Sequence, residues 1–304
     1  MPWLSTITCV TMRPFRAVAV FVATAVATAV VAAAACDVAA VPAEERDRLS
    51  LAPVYTQYVR AAGGIPVVAS DRAQPEALAE AAWLIDRLLA KRPDVAAAIG
   101  RSPVRFVVMA HDERTTDVPE HSDLEPRDYW DRRARGLGAT LERPATSCGE
   151  ENLLCFAGDP YAAENILIHE FAHTIHQIGL AQIDPTFELR LRAAFAEAER
   201  AERWKGTYAR ENPAEYWAEG VQSWFSCNRT HDSEHGAVNS PAAVAEHDPP
   251  LAALLTEVFG ERPWEYTRPH NRDAADQRHL GDFTGDRSPR FDWDTHHRVA
   301  TAVP

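Results

Sequence analysis

The sequence predicts an α+β fold: a small mixed sheet packed on one central helix, followed by a mainly helical second half. Three observations predict it. Short apolar runs rich in β-branched residues bracket a helix-period segment over residues 64–109. Apolar residues then recur at helical spacing in a series of stretches between residues 160 and 259. The most apolar of those stretches carries polar residues in its middle, His169-Glu170-Phe171-Ala172-His173.

Taken in order, the chain opens on Arg13 and Arg16, which precede Ala17 to Ala35, an uncharged stretch of mostly Ala, Val and Thr ending in small residues before Cys36. A basic start, an apolar middle and a small-residue end describe a cleaved secretory signal over residues 1–35. The same stretch is just long enough for a retained anchor, and Cys36 stands where a bacterial lipoprotein signal would be acylated. An exported chain is expected in each case, secreted or held at an extracytoplasmic membrane surface, and of bacterial type. Residues 36–52 are charged and proline-bearing and read as a linker. Residues 53–270 follow as one domain, because the first half offers too few strands to close a core alone.

Within that domain Gly64 to Ala69 reads as a strand. Ala73 to Lys91 is a helix, with Leu78, Ala82, Ile85, Leu88 and Leu89 on one face and Pro93 ending it. A further helical turn or two reaches Gly100, and Val104 to Met109 is a buried strand. Residues 111–125 are polar and aperiodic, Arg127 to Arg135 suggests a short helix, and Gly136 to Leu141 an edge strand. Asp159 and Pro160 look like an N-cap and first residue of the helix carrying the polar run, with Gly179 as its C-terminal cap. Further helices are expected over about Thr186 to Trp204, Pro213 to Phe225 and Pro250 to Phe259. Residues 271–304, rich in charge, Pro, Asp and His, read as a polar tail.

The formal charge of the 304 residues is −13, and losing residues 1–35 removes two arginines and no acid. Nucleic acid and anionic lipid are therefore not expected as partners. Membrane contact would come only through the N-terminal segment. With export comes an oxidising compartment, so Cys148 and Cys155, close in sequence, are expected to form a disulfide, leaving Cys227 free or buried. Their spacing does not suit a zinc site.

On a helix His169 and His173 differ by about 40° and lie one turn apart, so both imidazoles can reach one Zn²⁺. Glu170 lies about 100° round, near enough to act as general base without being a ligand. The flanks, Ile166, Leu167, Ile168, Phe171, Ala172, Ile175 and Ile178, are apolar, and buried His and Glu need partners. A catalytic zinc takes a third protein ligand. His176 is on the same face, but three ligands along a straight helix would span about 10 Å, too far for one ion. His176 is instead expected to line the cleft or bond a carboxylate. The segment from Tyr208 to Glu219 offers Glu215 and Glu219 one turn apart, beside Tyr216, Trp217, Val221, Trp224 and Phe225. Asn212, Pro213 and Glu215 also fit a capping box, so Glu215 is either third ligand or cap.

H-E-F-A-H followed by Y-x-x-x-N-x-x-E-x-x-x-E resembles the catalytic domain of anthrax lethal factor and its relatives, zinc peptidases of the gluzincin class. The resemblance covers about Glu164 to Phe225. It implies a zincin-like metallopeptidase fold, zinc held by His169, His173 and Glu215, and Glu170 as general base. It also implies Tyr208 as the oxyanion donor and Glu219 as support for a ligand histidine. The expectation is a zinc-dependent endopeptidase acting on a peptide or protein. Two alternatives stand beside it: a zinc hydrolase of a non-protein amide such as a cell-wall cross-link, and an inactive zinc-bearing surface binding protein. Asn228-Arg229-Thr230 fits a glycosylation acceptor and equally a polar turn.

Overall fold

The computed structural model describes residues 38–286 and 288–296. The expected export signal and Cys36 lie outside the described residues. The elements run in order β1 (Ala39–Ala40), α1 (Ala43–Leu49), β2 (Gln57–Ala61), β3 (Ile65–Ala69), α2 (Pro75–Leu89), α3 (Pro93–Arg101), β4 (Arg105–Met109), α4 (Arg127–Arg133), β5 (Gly136–Leu137), β6 (Ala145–Gly149) and α5 (Glu150–Leu153). There follow α6 (Ile166–Thr174), α7 (Ala181–Ile183), α8 (Phe187–Arg200), α9 (Pro213–Trp224), α10 (Pro241–His247) and α11 (Pro249–Phe259). Six strands form one sheet in the order β1-β2-β3-β4-β6-β5. The pairs β3–β4 and β4–β6 are parallel and the other neighbours antiparallel, so the sheet is mixed and the class is α+β.

Every residue of β3 and β4 is buried. Because successive side chains point to opposite faces, such strands need cover on both. On one face Ile65, Val67, Phe106 and Val108 meet α2, α3 and α6 through Leu78, Ile85, Ile99, Leu167 and Phe171. On the other, Val68, Val107 and Met109, with Tyr58 of β2, are covered by Leu49, Leu51 and Tyr55. The segment read as a linker therefore belongs to the fold: β1 pairs with β2, and α1 brings Leu49 onto the second face. β6 has no apolar run to announce it, but its Thr146 and Cys148 are small and fully buried, and the Thr146 hydroxyl bonds that of Thr174, which lets α6 lie close to the sheet.

Of the segment read as a polar tail, residues 272–291 include side chains that belong to the fold, and residues 297–304 lie outside the described residues. Arg272 and His279 reach the wholly buried Glu80 on α2, at 2.7–2.8 Å and 2.7 Å. Leu280 and Phe291 are buried. Cys148, Cys155 and Cys227 are free thiols, so the expected Cys148–Cys155 bridge is not formed. Cys148 points into the core from β6, whereas Cys155 sits beyond α5 on a left-handed residue (φ 57°) with its sulfur towards the Asn152 carbonyl. Asp159 does not open the motif helix. It accepts the Tyr161 N–H and the Asn152 side-chain N–H, a local turn that delays the helix to Asn165. Gly179 does not cap it either: the helix continues through a π-helical stretch, Ile175–Leu180, and a Cβ on Gly179 would lie 2.6 Å from Val95, so glycine is needed for packing on α3.

Candidate metal and catalytic site

Helix α6 starts where the Asn165 side chain accepts the Ile168 N–H at 3.0 Å. Its apolar face enters the core, and that rotation turns His169, Glu170 and His173 towards helix α9. Helix α9 starts at Asn212, whose side chain accepts from Ala214 and Glu215 N–H, with Pro213 at the first helical position. The two helices are locked by Trp217, fully buried, whose indole N–H donates to the Ala172 carbonyl at 3.0 Å.

This packing brings three sequence-predicted residues together. Glu215 Oε2 lies 3.1 Å from His169 Nε2 and 3.5 Å from His173 Nε2, and the two nitrogens are 3.3 Å apart. Asn212 caps the helix alone, so the Glu215 carboxylate is turned to the histidines rather than spent on a capping box. Four ligands about 2.0–2.1 Å from a tetrahedral zinc stand about 3.3–3.4 Å from one another, so the three separations fit that ion, and two imidazoles with one carboxylate are a donor set that suits it. Burial pushes Glu215 up, but hydrogen bonds to His169 and His173 outweigh it and hold the carboxyl far below its usual range.

Glu170 is half-buried and lines a cavity of about 220 Å³ together with His169, Tyr208, Glu219, Arg133, Gly136 and His235. Burial raises its pKa against the pull of both histidines. Strand β5 and Gly138 just after it pass beside the motif helix at very short range. A Cβ on Gly136 would lie 3.0 Å from Glu170 Cγ, and one on Gly138 2.8 Å from His173 Cβ, so only glycine fits at either place. The Tyr208 ring stacks near His169 with centroids 6.3 Å apart. Its hydroxyl is hydrogen-bonded to Arg133, and burial raises its pKa.

Glu219 lies 3.4 Å from His169 Nδ1 and 3.5 Å from His235 Nε2, and accepts the Asn228 side-chain N–H at 2.9 Å. Burial raises this carboxyl, but its bonds to His169 and His235 bring it to about 2. Asn228 is thus a buried partner of Glu219, not a glycan acceptor. His176 is not brought to the cluster. It bonds Glu188 on α8 at 2.6 Å and faces a separate cavity with Phe187 and Pro213.

Sequence reasoning missed Gln222, His235 and Arg133. Gln222 was recoverable, since it lies on the helix face of Glu215 and Glu219; the other two come from aperiodic or weakly patterned segments. No protein-family model matches the chain, and no curated protein matches it.

Proposed function

We propose that this chain is a zinc-dependent peptidase with a zincin-like fold, in which His169, His173 and Glu215 hold the metal. The observation that carries the proposal is the triangle of donor atoms, 3.1, 3.3 and 3.5 Å on its sides, beside Glu170 and its cavity. A zinc ion held there would supply Lewis acidity, making water a nucleophile near neutral pH and polarising a carbonyl.

The chain's own residues do the rest. Glu170 takes the proton of the attacking water and returns it to the leaving amine, so one carboxylate serves as base and then acid. Tyr208, held by Arg133, offers a hydroxyl to the oxygen on which negative charge develops. Glu219 adds a negative charge 3.4 Å behind His169. Among the described residues strand β5 ends the sheet, with β6 on one side only. An extended peptide can add to its open edge by backbone hydrogen bonds, which places a scissile amide beside Glu170 and favours a peptide substrate. The export expected of the N-terminal segment would put this activity outside the cytoplasm.

The test is zinc analysis of the full chain together with a peptide library read by mass spectrometry. Cleavage that requires zinc supports the proposal. Zinc-dependent release from cell-wall cross-links but not from the library would move the substrate to a non-protein amide, and a zinc-loaded chain that cleaves neither would sink catalysis.

A further inference from the structure

We infer that Gln222 is the residue that holds the His169 proton on Nδ1 and thereby turns Nε2 to the metal position, a role the sequence pattern would give to Glu219. The inference rests on the proposed zinc site for its purpose, but its geometry stands apart from the metal. Glu215, Glu219 and Gln222 share one face of α9 at helical spacing. Gln222 is fully buried. Its Oε1 is 2.8 Å from His169 Nδ1, whereas the nearest Glu219 oxygen is 3.4 Å away.

The direction of that hydrogen bond follows from the other end of the amide. Gln222 Nε2 lies 3.2 Å from the Asn165 backbone carbonyl and 3.2 Å from Glu164 Oε2. Both are acceptors, the first without exception, so the NH₂ must face them and the oxygen must face His169. An oxygen can only accept, so His169 carries a proton on Nδ1. Glu215 Oε2, 3.1 Å from Nε2, accepts as well, so Nε2 holds a proton of its own until a metal replaces it, and the nitrogen left to bind that metal is the one facing Glu215 and His173. The anchor is rigid, because Asn165 is also the N-cap of the motif helix. Glu219 is differently engaged, with Asn228 at 2.9 Å and His235 at 3.5 Å sharing its other oxygen. Gln222 therefore links the start of α6 to a ligand on its next turn, as a neutral acceptor that fixes orientation without adding charge.

The test is NMR of the full chain carrying ¹⁵N-histidine, with and without zinc, beside zinc affinity measured by chelator competition. Wild type should show a slowly exchanging His169 Nδ1–H in both states, and Glu219→Gln should leave it in place. Gln222→Met, which removes the acceptor at similar volume, should lose that protected proton and 10–100-fold of zinc affinity. No protected Nδ1–H in wild type, its loss in Glu219→Gln, or a Gln222→Met protein with both readouts unchanged would overturn the inference. The wild-type and Glu219→Gln spectra decide it even where Gln222→Met does not fold. Should wild type bind no zinc, the proposed function falls while the metal-free Nδ1–H signal still answers for Gln222.

Discussion

Replacing Arg272 by methionine should cost the fold roughly 3–5 kcal/mol, the usual penalty for stranding one member of a buried ion pair. Without Arg272 the buried Glu80 carboxylate keeps one partner, His279 at 2.7 Å. The Glu80 side chain is 0% exposed and that of Arg272 2%, and the guanidinium bridges both carboxylate oxygens at 2.7 and 2.8 Å. Arg272 also lies 4.2 Å over the Trp83 ring, on which His279 stacks with centroids 4.9 Å apart. Urea denaturation is the assay: with a slope of about 2–3 kcal/mol per molar, the midpoint should fall by about 1–2 M. The double variant Arg272→Met/Glu80→Gln should recover most of the loss, since it removes the stranded charge and keeps an acceptor for His279. Burial pushes Glu80 up, but its hydrogen bonds to His279 and Arg272 outweigh burial and hold it below its ordinary value. Its stabilisation is thus present above the unfolded pKa of about 4.3 and lost as the pH falls through the lower folded value. A loss under about 1 kcal/mol, or a double variant no better than the single one, would refute the view that this pair ties the C-terminal segment to the core.

Other predictions concern the site and its surroundings. Glu215→Ala should lose zinc by metal analysis, whereas Glu219→Ala should only weaken binding; the opposite order would reassign the third ligand. Gly138→Ala places a Cβ 2.8 Å from His173 Cβ and should lower stability by about 1–3 kcal/mol in thermal unfolding; an unchanged melting temperature would show that the segment after β5 moves freely. Asp159, whose pKa burial raises to about 6, favours the protonated form in the folded chain, so its stabilising contribution is complete below about 3.9 and lost as pH rises through 6. Asp159→Asn should therefore gain on wild type by on the order of 1–3 kcal/mol between pH 4 and 7, and a pH-independent difference would contradict the assignment.

The long helices and the two apolar strands were legible because their patterns are local: Leu78, Ile85 and Leu88 on one stripe, Phe106 to Val108 as an unbroken apolar run. That run also implied cover on both sheet faces, and the cover came from Leu49, Leu51 and Tyr55, in and just after a segment whose charge and proline suggested a linker. β6 was not legible, since its burial depends on contact with α6 rather than on its own hydrophobicity. The free thiols of Cys148 and Cys155 show why sequence proximity is weak evidence for a bridge: their positions in strand and loop decide where the sulfurs point. At the site, helical spacing brought out His169, Glu170, His173 and Glu215. It could not rank Glu219 against Gln222 as partner of His169, because a difference between 2.8 and 3.4 Å is set by how α9 packs on α6.

The central claim is hydrolysis by a zinc site with Glu170 as its base. The most direct measurement is the peptide-cleavage rate of zinc-loaded Glu170→Gln beside zinc-loaded wild type, with zinc content determined on the same samples. Equal zinc with cleavage only in wild type is the predicted result; equal cleavage by both, or none by either, would contradict the account.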